Sequence, residues 1–177
     1  MNLLEYFNTP ETVLPQELIY GAVRVEDAPF VSHQRTVFRM AMALANRSPW
    51  TPGEVLIAPV DVVLDMDRAL VLQPDIVWVD AARDQIVQER IYGAPDLAVE
   101  VLSPRPRIGE LAERVKLFLE YGVREIWLYH QTLERFDVLH NAGDGRVHER
   151  HYRLNQPIES AVLPGFAPTP SELTGQR

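Results

Sequence analysis

A glutamate stands inside an apolar run. In DLAVEVLS (residues 96–103) Glu100 lies between Val99 and Val101. A carboxylate placed there must be paired, hydrogen-bonded, protonated or bound to a metal, because an uncompensated buried charge is costly. Further back, Asp75 follows Pro74 and opens IVWV. If the two strands lie side by side, two hard oxygen ligands converge, a donor set that suits Mg2+ or Mn2+ better than zinc. Lys116 is the third element. It sits about 80° round from Ile108 at 100° per residue, on the shoulder of a helical apolar stripe, from which an amine can reach past the packed face. Each residue also has a structural reading: an ion pair for Glu100, turn chemistry for Pro74-Asp75, and an exposed lysine paired with Glu113 or Glu120 for Lys116.

The elements that must position these residues follow from periodicity. ELIYGAVRVE (17–26) has the β-branched and aromatic content of a strand, and Asp27, Ala28 and Pro29 break it. Ser32 is placed to cap a helix reaching about Asn46, with Val37, Met40, Ala41 and Leu44 on one face. Three β-branched runs, VLIAPVDVVLD, ALVLQPDIVWVD and DLAVEVLS, read as central strands buried on both faces. From Ile108 to Tyr121 the spacing predicts an amphipathic helix, with Gly122 where a C-terminal cap belongs. EIWLYH is the next strand, RFDVLH and VHERHYRL form a hairpin about NAGDGR, and the tail reads as proline-punctuated and irregular. The fold class is α/β: a mixed central sheet flanked by helices, with a C-terminal β-hairpin extension, forming one domain over residues 1–177.

Composition bounds the chemistry. The chain has 177 residues and no cysteine, which removes thiolate zinc sites and cysteine nucleophiles and agrees with a reducing, cytoplasmic setting. No window approaches the ~20 apolar residues of a membrane span. Acidic residues exceed basic ones, 25 against 17, for a net charge of −8, which argues against passive adhesion to nucleic acid. A local patch of Arg105, Arg107 and Arg114 together with divalent cations is able to offset that charge where a phosphate backbone docks. Asp96 begins the strand of Glu100, but four residues at ~3.3 Å put it ~13 Å away, in a loop-fixing position. Asp61, Asp65 and Asp67 lack the glycine and distal glutamate of an EF-hand loop.

PDIVWVD, then PDLAVEVLSPRPR, then LAERVKLFLEYGVREIWLYH together resemble the Uma-two family of restriction endonucleases, within the PD-(D/E)XK nuclease superfamily. PQELIYGAVRV, Ser32-His33 and VLPGFAPTPSEL extend the resemblance over most of the chain. It implies a restriction-endonuclease-like fold and a divalent-metal site made by Asp75 and Glu100, with Lys116 as the catalytic lysine. The superfamily pattern expects that lysine two residues after the glutamate, where this chain has Leu102. The resemblance further implies that Glu17 adds an acid to the site and that His33 meets substrate, and Arg105 and Arg107 of the basic patch are the other expected substrate contacts. The implied activity is Mg2+- or Mn2+-dependent hydrolysis of phosphodiester bonds in nucleic acid, DNA in particular; a homodimer is the expected assembly, since two symmetric sites suit duplex cleavage. A nuclease fold kept as a silent binding or regulatory module is the alternative, and the acidic net charge favours it.

Overall fold

The computed structural model describes residues 1–10, 14–25, 28–46, 52–102 and 111–176. The chain opens with α1 (Leu3–Phe7), β1 (Gln16–Ile19), β2 (Ala22–Val25) and α2 (Val31–Ala45). Next come β3 (Gly53–Ile57), β4 (Val62–Asp65), β5 (Leu70–Leu72), β6 (Ile76–Asp80), a 3-10 turn (Ala81–Ile86), β7 (Ile91–Tyr92) and β8 (Leu97–Leu102). It closes with α3 (Leu111–Glu120), β9 (Glu125–His130), β10 (Arg135–Asn141), β11 (Val147–Tyr152) and α4 (Pro170–Thr174).

Two sheets result, in the orders β2-β1-β5-β4-β7 and β11-β10-β9-β8-β6-β3. The six-stranded one is the expected mixed sheet: β8 and β9 pair in parallel, and its other ladders are antiparallel. A parallel pair needs a crossover, and α3 supplies it. The β10–β11 hairpin is the expected C-terminal extension.

The five-stranded sheet arises from runs that periodicity read as single strands. ELIYGAVRVE folds back at Tyr20 and Gly21, whose φ of 50° and 85° suit the two-residue turn of a hairpin. ALVLQPDIVWVD divides at Gln73–Asp75, so that β5 joins one sheet and β6 the other. VLIAPVDVVLD divides likewise into β3 and β4. Apolar periodicity reports burial and says nothing of which neighbour a strand pairs with.

The helices cover both faces of the six-stranded sheet. Val37, Met40 and Leu44 of α2 pack with Trp78, Val99 and Trp127 on one face. On the other, Leu117 and Phe118 of α3 pack with Ala98, Ile126 and Leu128, and the same cluster takes in Ile19, Leu70 and Leu72 of the five-stranded sheet. The cap of α2 is Phe30, without a side-chain cap bond; Ser32 lies inside the first turn because the helix starts two residues earlier than expected. The expected helix start at Ile108 falls outside the described residues, while Gly122, at φ 95°, ends α3 as expected. The tail is more regular than its prolines suggest: Thr169 and Glu172 form a capping box on α4. Among the described residues no helix is long and apolar enough to cross a membrane.

Candidate functional site

The seam between the two sheets brings the acids together. β6 and β8 pair antiparallel with Ile76 opposite Val99, so the residues one step beyond, Asp75 and Glu100, stand abreast. β1 pairs with β5, and the N–H of Gln73 donates to Glu17 Oε1 at 2.7 Å. The three-residue joint Gln73–Asp75 thus ties Glu17, from one sheet, to the edge of a pocket whose other acids belong to the second sheet. Glu17 is fully buried and Glu100 nearly so.

Between them lies Arg114. Its Nη1 donates to Glu17 Oε1 and Oε2, both at 2.6 Å, and its Nη2 and Nε donate to Glu100 Oε1 at 2.5 and 3.2 Å. The guanidinium is itself buried, 5.6 Å from the Phe118 ring centroid. Planar donors of fixed charge suit such a bridge, since arginine does not give up its proton. Asp75 is held separately: its carboxylate accepts the N–H of Val101 at 2.7 Å and lies 3.1 Å from His33 Nε2.

The charges do not balance. Among the described residues, three carboxylates face one guanidinium and one imidazole. Burial pushes the Glu100 carboxyl up to about 8, against the pull of Arg114 and with help from Asp75 and Glu17. A proton on Glu100 at neutral pH answers the lack of positive charge. A divalent ion answers the same lack, and the available donors, carboxylate oxygens with no thiolate, are those Mg2+ and Mn2+ prefer. In donor type the carboxylates fit the metal that the resemblance implies, while Arg114 stands between Glu17 and Glu100.

Of the residues expected from sequence, Glu17, Asp75, Glu100 and His33 meet here, His33 through Asp75. Lys116 does not. Its side chain is 71% exposed, and its amine pairs with Glu120 at 3.5 Å, one turn on along the outer face of α3. Two helical residues turn the chain by ~200°, so the side of α3 that faces the acids carries Arg114 instead. Arg114 is correspondingly no member of an exposed basic patch; Arg105 and Arg107 lie outside the described residues. The signal for Arg114 was available: a charge flanked by Leu111, Leu117 and Phe118 interrupts an apolar stripe just as Glu100 interrupts an apolar strand. Asp96 fixes a loop as expected, accepting from the N–H of Asp80 at 2.9 Å, Arg83 at 2.9 Å and Arg124 at 3.0 Å.

Comparison with known proteins gives the same direction. A family model, Uma2, described as "Putative restriction endonuclease", matches residues 4–174. A crystal structure from Anabaena variabilis, described as "a putative nuclease belonging to DUF820", superposes with a TM-score of 0.77 at 16% identity, covering 99% of this chain and 98% of that one. At that identity the likeness shows the fold. No curated protein matches.

Proposed function

The chain belongs to the Uma2 family, and from that premise we propose that it is a single-domain, Mg2+- or Mn2+-dependent endonuclease that hydrolyses phosphodiester bonds of DNA at the Glu17–Asp75–Glu100 pocket. The observation that carries this reading is the convergence of three carboxylates across the seam with one guanidinium to answer them.

Asp75 and Glu100 would hold the ion, which when bound lowers the pKa of a water and polarises a phosphoryl oxygen. The rest falls to the chain. The Val101 N–H and His33 Nε2 fix the Asp75 carboxylate, limiting the orientations it can take. Arg114 holds Glu100 by one oxygen, Oε1, and braces it against Glu17. In this reading Arg114, and not the Lys116 expected to orient water or stabilise developing negative charge, is the cation beside the acids, because the Lys116 amine is engaged with Glu120. Arg105 and Arg107, which follow β8 in the chain, would contact phosphate and supply the local positive charge that a net −8 molecule otherwise lacks. Two copies, one for each strand, would make a duplex cut in the cytoplasm.

The test is conversion of supercoiled plasmid with Mg2+ or Mn2+ by wild type, Asp75→Asn and Glu100→Gln. Loss of cleavage in both variants is expected. Equal cleavage by all three would assign the activity to a contaminant. Arg114 also favours a second reading, a silent binding module, since the chain already carries a cation of its own between two of the acids. Calorimetry with Mn2+ separates the two: heat of binding from the wild type no greater than that from Asp75→Asn/Glu100→Gln supports the silent module.

A further inference from the structure

We propose that the β10–β11 hairpin carries a second metal site, formed by Asp137, Glu149 and His151, that takes a divalent transition ion such as Zn2+ and pins the edge strand of the six-stranded sheet. Asp137 stands opposite His151 and Leu139 opposite Glu149, so the side chains of Asp137, Glu149 and His151 share one face of the hairpin. One donor atom from each lies within 4.8 Å of the other two.

The geometry sorts the two oxygens of Asp137. The residue is 1% exposed. Oδ2 is occupied by His130 Nε2 at 2.9 Å and by Arg135, with Nε at 2.9 Å and Nη2 at 2.8 Å. Oδ1 turns the other way, to His151 Nδ1 at 2.7 Å. One oxygen is therefore anchored from within the protein while the other faces an exposed imidazole and an exposed glutamate, the division of labour found where surrounding groups orient a metal-binding carboxylate. Zn–N and Zn–O distances of ~2.0–2.2 Å require the three donors to draw closer, and the two that must move, Glu149 and His151, are the solvent-exposed ones. The His151 proton would pass from Nδ1 to Nε2, leaving a neutral ring with Nδ1 as donor.

Charge and donor type choose the ligand. Two carboxylates outnumber Arg135, leaving a net negative cluster that attracts a cation and repels phosphate. An imidazole nitrogen beside two carboxylates suits Zn2+, Mn2+ or Co2+ more than Mg2+. The site is distinct from the acid pocket. Glu100, Leu128 and Asp137 stand in one row across β8, β9 and β10, two strand spacings or ~10 Å apart from end to end. That exceeds the ~3.5–4 Å separation of a two-metal centre. The inference accordingly stands whether or not the chain cleaves DNA.

The experiment is calorimetric titration of Zn2+ into the Asp75→Asn/Glu100→Gln chain, with circular dichroism as a check on folding, and into wild type under excess Mg2+ in case the double variant does not fold. One Zn2+ per chain is expected. His151→Ala and Glu149→Gln should each weaken it by at least about tenfold, and His148→Ala, on the opposite face of the hairpin, should leave it unchanged. With Co2+ as probe, His151→Ala should alter the visible absorption. Absence of Zn2+ binding, unchanged affinity in His151→Ala, or loss of binding in His148→Ala would each overturn the site.

Discussion

Replacing Arg114 by methionine keeps most of the side chain's length and apolar stem and removes only the bridge. Glu17 and Glu100, both buried, then lose the guanidinium that each contacts at 2.6 Å or closer. Breaking a buried ion pair by deleting one partner costs about 3–5 kcal/mol, because the remaining charge stays buried and unanswered. In a chain of this size each kcal/mol moves the melting temperature by about 2–4 °C, so a loss of about 6–20 °C is expected at pH 7. The loss should grow as pH rises through about 8, where the Glu100 carboxyl gives up its proton beside the guanidinium in the wild type and has no such partner in the variant. It should shrink with Mn2+, which enters the vacated pocket and stabilises by binding the folded state. Thermal and urea unfolding of wild type and Arg114→Met at pH 7 and about pH 9, with and without Mn2+, measures all three effects. A melting temperature within 2 °C or so of wild type at pH 7, or the same loss at both pH values, would refute the bridge as the source of stability.

Three further outcomes follow from the same geometry. The Glu100 carboxyl is raised from 4.5 to about 8 in the folded chain, so its contribution to stability is fully present below about 4.5 and is lost as pH rises through 8; Glu100→Gln should flatten that decline in a pH series of melting temperatures. Asp96 behaves oppositely. Burial raises its pKa, but the Asp80 N–H, Arg83 and Arg124 outweigh burial and leave it below 3.8, so its contribution is present above 3.8 and lost in stronger acid. Asp96→Asn should therefore cost about 1–3 kcal/mol in urea unfolding at pH 7 and progressively less as pH falls below 3.8. Lys116→Ala should change stability by no more than about 0.5 kcal/mol, as expected of an exposed i,i+4 pair, and should leave plasmid cleavage at the wild-type rate.

Much of the six-stranded sheet was legible in the sequence because its strands are apolar on both faces. PDIVWVD, DLAVEVLS and EIWLYH became β6, β8 and β9, and Glu100 announced itself as a charge where none belonged. The second sheet was not legible, since β4 and β5 are halves of runs whose other halves, β3 and β6, lie in the first sheet, and a two-residue turn at Tyr20-Gly21 is short enough to pass for strand. The cation that meets the acids, Arg114, lies two residues before the lysine expected there, for a related reason. Counting the α3 stripe from Ile108 put Lys116 on a shoulder, whereas the packing of Leu117 and Phe118 puts Arg114 inward and Lys116 out. The hairpin cluster needed the register itself, since Asp137, Glu149 and His151 are separated in sequence by a turn whose length alone sets who faces whom.

The joint at Gln73–Asp75 gives the molecule a built-in alignment gauge. Glu17 rides on one sheet, Glu100 on the other, and Arg114 measures the gap between them from a helix packed on both. A slip of an ångström along that boundary would leave every strand intact yet pull the guanidinium off one acid or the other. Damage to this protein should therefore show first as a silent site in a chain whose circular dichroism is still native, and suppressors of such damage should map to the boundary and not to the acids.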